Sequence, residues 1–288
     1  MTTLWSTAEF AEHEFPTPSY LVAPIIPQGG TCILHGKPNV GKSQFILTLA
    51  HAINNGLPLF GRWPTRQGPV VVVQVDMTGQ IQQSRVLRVV GQLALDQTYW
   101  LVEEDGSTPL IDICKMPYTH PHVVEQISEI DPLLIVWDTL RKTHMLSENA
   151  SESAILVYNA ARAVHRQATH MFVHHDRKEA RDPEHSGSPD EAFMGNQQWM
   201  GACDTTLSLR EIGASPKRIA VCIHKARTAA DTEKIPFSVE LDMDTMLLLP
   251  TRYRYPEIIR TPMESGFASD GEASRILTTP ARAAIITR

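Results

Sequence analysis

The chain has 288 residues, 42% hydrophobic and 20% charged, with a formal net charge of −6. That length suits one large domain or two small ones, and the apolar content can fill a substantial core, which excludes wholesale disorder. No apolar run is long enough to span a bilayer, and Met1-Thr-Thr-Leu-Trp-Ser lacks the basic-then-apolar layout of a signal peptide, so a cytoplasmic protein with no membrane partner is expected. Cys32, Cys114, Cys203 and Cys222 form no CxxC pair, which argues for four small buried thiols over a disulfide framework or a zinc site. The mildly acidic balance excludes a surface that is basic all over but leaves room for a local basic channel.

Residues 1–19 are polar and punctuated by proline and read as an N-terminal arm with at most one short helix. From Tyr20 the texture changes. Thr31-Cys-Ile-Leu-His is a short β-rich run, and after a glycine loop Gln44-Phe-Ile-Leu-Thr-Leu-Ala-His-Ala-Ile carries apolar residues at helical spacing. The unbroken valines of Pro69-Val-Val-Val-Val-Gln-Val suit a strand covered on both faces of a parallel sheet. A polar helix is expected over 80–93, a weaker strand over 99–102 and a helix over 122–129. Leu133-Leu-Ile-Val-Trp is a second continuous apolar strand, followed by a helix over 151–167 and a third strand at Met171-Phe-Val.

Alternating strands and helices imply βαβ units, hence an α/β fold with a central, mostly parallel sheet flanked by helices. From Asp176 to about Glu191 there is almost no apolar residue, and polar loops of that size are often functional. Beyond it, Asp204-Thr-Thr-Leu-Ser-Leu, Arg218-Ile-Ala-Val-Cys-Ile and Phe237-Ser-Val-Glu-Leu alternate as an antiparallel C-terminal extension. The expected core thus runs over 20–250. Residues 251–288 form a tail, irregular or partner-binding, rich in Thr, Ser, Pro and Ala.

Gly36-Lys37-Pro38-Asn39-Val40-Gly41-Lys42-Ser43 satisfies the pattern G-x-x-x-x-G-K-S/T between a strand and a helix. The glycines let successive amides turn inward onto phosphate oxygens, and the helix opening at Lys42 and Gln44 adds partial positive charge. Lys42 is placed to reach the β- and γ-phosphates of ATP and the Ser43 hydroxyl to bind Mg²⁺. Asp138, closing the Leu-Leu-Ile-Val-Trp strand, occupies the position of an aspartate that holds Mg²⁺ through water. Asp76 closes the valine strand. It is either a general base for the attacking water or the N-cap of the segment after it. His175 closes the third strand, where a polar side chain can touch the γ-phosphate. The following loop mixes Arg177, Lys178 and Arg181 with Asp176, Glu179, Asp182 and Glu184, so on composition it is either a solvated surface or a functional loop. Lys225 and Arg227, one residue apart, are either surface charges or phosphate contacts that point the same way.

Together these motifs resemble the RecA-like P-loop ATPases of the hexameric replicative helicase branch, which includes RepA-like and, more distantly, DnaB-like proteins. The resemblance covers roughly residues 20–249. It is carried by Ile25-Ile-Pro-Gln-Gly-Gly-Thr before the P-loop, the valine strand ending in Asp76-Met, and Asp138-Thr-Leu-Arg141 with Glu148-Asn149 downstream. His174-His175-Asp-Arg-Lys178, Gly195-Asn-Gln-Gln-Trp199 with Asp204-Thr, and Lys225-Ala-Arg227 follow in family order. It implies an ATP-hydrolysing ring, a hexamer with nucleotide at subunit interfaces, that acts on single-stranded DNA and works with a loader or primase. Asp76 would be the catalytic carboxylate, His175 the γ-phosphate sensor, Arg227 an arginine finger with Lys225 beside it, and Arg177, Lys178 and Arg181 part of a channel loop. Asp76 stands where glutamate is usual, one methylene shorter, and Met194 stands where an arginine often precedes the glycine. Two other functions are compatible with the same motifs: a recombinase or annealing mediator forming filaments on DNA, and a regulatory ATPase acting on a protein.

Overall fold

The computed structural model describes residues 4–15, 17–89, 94–176 and 198–254. The arm holds α1 (Thr7–Glu12), closed by a capping box in which Ser6 and Glu9 satisfy each other's amides, and none of its residues is buried. β1 (Tyr20–Val22) and β2 (Ile26–Pro27) pair as a small antiparallel sheet that the chain's hydrophobic pattern is too short to signal. The core elements are β3 (Thr31–Gly36), α2 (Lys42–Asn55), β4 (Val70–Gln74), α3 (Gly79–Leu87), β5 (Thr98–Leu101), α4 (Met116–Thr119), α5 (Pro121–Ile130), β6 (Leu134–Asp138), α6 (Ser153–Val164) and β7 (Thr169–His175). Then come α7 (Gln198–Ala202), β8 (Thr205–Ala214), β9 (Lys217–Ala226), β10 (Phe237–Leu241) and β11 (Leu248–Arg254).

Among the described residues the main sheet has nine strands in the order β11-β10-β9-β8-β3-β7-β6-β4-β5. From β8 to β5 the pairings are parallel, and from β8 to β11 they are antiparallel, which is the expected α/β layout. The valine strand shows why its run is unbroken. Val70 and Val72 face one core with Phe45, Leu49 and Ile53 of α2, while Val71 and Val73 face the other with Ile127 of α5 and Val157 and Ala161 of α6. A strand in mid-sheet has no wet face, so alternation would leave a polar side chain stranded. α3 is shorter than expected and buries only Gly79 and Gln82, the consequence of its polar composition. Cys32, Cys203 and Cys222 are buried as expected, whereas Cys114 is only half-buried.

In a parallel sheet all strands release their loops at one edge, so Gly36, Gln74, Asp138 and His175 end side by side. Among the described residues no helix is long and apolar enough to cross a membrane.

Candidate nucleotide site

The glycine loop leaves β3 at Gly36 and enters α2 at Lys42, with Gly41 at φ 120° and Asn39 at φ 62°. Gly41 cannot be replaced cheaply. A Cβ there would stand 2.5 Å from Ile219 Cδ1 of β9, in a backbone conformation that side chains disfavour. The β8–β9 hairpin therefore leans over the loop, and Lys217 near its tip donates to the Asn39 carbonyl.

Beside the loop lies a cavity of about 470 Å³ lined by Pro38, Asn39, Gly41, Lys42, Ser43 and Gln44, by Asp76, Asp138 and His175, and by Gln82 and Arg85 of α3. Three loop residues expected to bind nucleotide stand back from the cavity. Val40 is buried in the core, and Gly36 and Lys37 offer their carbonyls to Lys42 Nζ at 2.8 and 2.9 Å. Lys42 also donates to His175 Nδ1 at 3.2 Å, so the ring accepts there as neutral imidazole, and burial together with Lys42 holds the His175 pKa below its ordinary value. Burial lowers the Lys42 pKa to about 8 despite the attraction of Asp138, Asp176 and Asp76. A phosphate chain brought to this lysine would supply the anion that it lacks.

Asp138 is buried, and desolvation raises its pKa to about 6 in spite of a 3.0 Å hydrogen bond from Gln74 Nε2. The Oε1 of Gln74 accepts the Asp76 amide at 3.0 Å, so this one side chain ties the ends of β4 and β6 together. Sequence reasoning missed Gln74, although a glutamine closing a run of buried valines was a signal of a polar partner nearby. Asp76 is about one-third exposed and pairs with Lys142 at 3.0 Å. The N-cap of α3 is Thr78, which accepts from Ile81, so Asp76 is not the cap. Lys142 lies just past the Asp138-Thr-Leu-Arg141 run and had no pattern of its own.

An oxygen-only donor set, a serine hydroxyl at the start of α2 and a buried carboxylate whose charge burial makes costly, suits a hard cation such as Mg²⁺ and would be relieved by one. Ser43 and Asp138 are the residues that would hold it.

Behind the loop, His35 at the end of β3 binds Asp176 at 2.7 Å, both side chains being almost fully buried. This pair anchors the first residue after His175 beside the glycine loop, and the Asp176 amide donates to Gly36 O at 3.3 Å. Arg177, Lys178, Arg181 and Met194 lie outside the described residues.

Lys225 and Arg227 are not near this cavity. β9 is antiparallel to β8, so its end returns to the opposite edge of the sheet, where Ala226 faces Thr205 and Lys225 faces Thr206. Thr205 is level with Cys32 at the start of β3, and the glycine loop leaves the other end of that strand. The five steps from Thr31 to Gly36 span about 16 Å at roughly 3.3 Å each. Lys225 Nζ donates to Met200 O at 3.2 Å and Gly201 O at 2.6 Å, closing the C-terminal turn of α7. Arg227 is about half exposed and meets Asp204.

Residues 2–181 match a family model described as an AAA domain. A comparison with curated proteins finds no match. Among solved structures the chain is similar to one described as an ATPase domain, with a TM-score of 0.56 at 10% identity over 78% of this chain and 86% of that one. The likeness shows that the sheet and its helices form a RecA-like P-loop fold.

Proposed function

The chain belongs to the AAA domain family, and we propose that it is an ATP-hydrolysing motor that assembles into a ring and acts on single-stranded DNA. The observation that supports a ring is the division of the chemistry between two edges of one sheet. Phosphate cradle, carboxylates and His175 share one edge, whereas Arg227 sits at the other, too far to reach its own cavity. A copy seated with its Arg227 edge against the next copy's cavity would complete each site in turn, and a head-to-tail contact that closes makes a ring.

Lys42 and the amides of the glycine loop would bind the β- and γ-phosphates, and Lys42 would leave Gly36, Lys37 and His175 to do so. His175, freed from Lys42 and with its proton on Nδ1, would donate to a γ-phosphate oxygen at the same edge and so sense it. Ser43 and Asp138 would hold Mg²⁺, which neutralises charge on the phosphate oxygens when bound. Asp76 would accept the proton of a water that attacks the γ-phosphorus while the bond to the β-phosphate oxygen breaks, leaving ADP and phosphate. Arg227 of the neighbour would stabilise charge on the departing phosphates, an effect worth about 10³–10⁵ in rate in arginine-finger systems.

Lys42→Ala lacks a working cradle and Arg227→Ala a working finger, so each alone should lose most of its activity, Arg227→Ala keeping a residual, measurable turnover. Mixed, they should regain ATPase activity at interfaces that pair an intact finger with an intact cradle, and the regained activity should fall on dilution. No recovery in mixtures shown to co-assemble would refute the shared site. Particle shape and the ATPase rate, each measured with and without single-stranded DNA, separate the alternatives. Closed rings stimulated by DNA support a helicase or translocase, filaments that grow only on DNA a recombinase, and a rate indifferent to DNA a regulator of a protein partner.

A further inference from the structure

We infer that Asp204 is a positioning residue for Arg227, setting which edge of the guanidinium faces the neighbouring subunit; this rests on the ring reading above. Asp204 precedes β8 and is fixed to the first residue of β3 from two sides. Its amide donates to Thr31 O at 2.8 Å, and its Oδ2 accepts the Thr31 amide at 2.9 Å. The carboxylate is therefore attached to the same strand that carries the glycine loop at its far end.

Its other oxygen, Oδ1, meets Arg227 Nε at 3.2 Å, and the Arg227 amide donates to Asp204 O at 3.3 Å. A guanidinium offers two donor edges, one through Nε and one through its two Nη groups. An ion-paired carboxylate beside Nε stands at the first edge, and the second, the fork that fits phosphate oxygens, makes no contact among the described residues. A finger held through its Nη groups would have to surrender that contact before reaching a phosphate. Held through Nε, it can keep Asp204 while it binds.

A lone carboxylate would also cancel the finger's charge. Arg162 of α6 answers that, with its Nη2 at 3.7 Å from Asp204 Oδ2. The trio of Arg162, Asp204 and Arg227 carries one net positive charge, so the cluster still attracts an anion. As a partly exposed ion pair with no second contact from the arginine side chain among the described residues, the Asp204–Arg227 contact adds modestly to stability, which makes orientation the larger part of its role.

The test uses Asp204→Asn, which keeps a carbonyl to accept the Thr31 amide and removes the charge that holds Nε. In the assembled protein its kcat for ATP should fall about 10–100-fold, the cost of a misplaced catalytic group, with KM for ATP within about twofold of the parent. In an Arg227→Ala background the same substitution should lower kcat no further. Mixed with Lys42→Ala, Asp204→Asn should recover activity, because its own cradle is intact and the partner supplies a held finger. If Asp204→Asn fails to fold, Asp204→Glu carries the same criteria, since it keeps the charge and shifts the arm by a methylene. A parental kcat, or a loss that adds to that of Arg227→Ala, overturns the role of Asp204 while leaving the shared site in place. Absence of recovery between Arg227→Ala and Lys42→Ala in co-assembled mixtures overturns both.

Discussion

Replacing Asp138 with asparagine should stabilise the nucleotide-free protein while abolishing Mg²⁺-dependent hydrolysis. Burial raises this carboxyl from 3.8 to about 6. At roughly 1.4 kcal/mol per unit, the ionised form costs the folded state about 3 kcal/mol above pH 6. Asparagine carries no charge and keeps an oxygen for the Gln74 amide, but burying its own amide group returns about 1–2 kcal/mol. The net gain is about 1–2 kcal/mol, or about 2–8 °C in Tm for a domain of this size. The sign of the pH dependence follows from linkage. Between pH 4 and pH 6 the folded parent binds a proton that the unfolded chain has released, so the parent loses stability as pH rises through that window and the variant does not. The variant should therefore be about 1–2 kcal/mol less stable than the parent at pH 4, cross it near pH 5 and reach its full advantage by pH 7. Urea unfolding followed by tryptophan emission, in the absence of metal and nucleotide, measures this directly. A variant no more stable than the parent at pH 7.5, or a difference flat from pH 4.5 to pH 7.5, would refute the argument that Asp138 is held ionised at a cost.

Asp76→Asn should retain ATP binding and lose hydrolysis, since the amide has the carboxylate's shape but accepts no proton; parental turnover would place the base elsewhere. Because burial lowers Lys42 to about 8, ATP affinity should weaken as pH rises past 8, approaching tenfold per unit, and calorimetric titration from pH 7 to pH 9.5 reads it. Gly41→Ala should impair nucleotide binding through both the left-handed backbone and the Ile219 contact, with a Tm drop in thermal scanning; unchanged affinity would show that the loop can shift freely. Replacing Arg177, Lys178 and Arg181 together should flatten the salt dependence of DNA binding by about two to three units of slope and abolish DNA stimulation while sparing basal turnover. An unchanged slope would make that loop ordinary solvated surface.

The local chemistry of the glycine loop was legible from eight consecutive residues, because a phosphate cradle is built from backbone amides and needs glycine at fixed spacing wherever it occurs. The valine run and Leu134–Asp138 were legible as interior strands because a strand covered on both faces tolerates no polar alternation, and parallel strands must end together, which brought Asp76, Asp138 and His175 to one edge. Their partners were another matter. Gln74, Lys142 and Lys217 carry no motif, and each acts through a contact made across the sheet or between loops far apart in sequence. His35 with Asp176 and Asp204 with Arg227 are likewise separated by many residues, so only folding brings them within hydrogen-bond distance. Lys225 and Arg227 looked alike in sequence, two cations one residue apart. Tertiary structure distinguished them, because α7 ends where its carbonyls take the lysine, while Asp204 pairs with the arginine beside Nε. Covalent spacing determines which groups can be neighbours on one element. Which of them meet, and which are left for another molecule, is decided by the packing of elements distant in the chain.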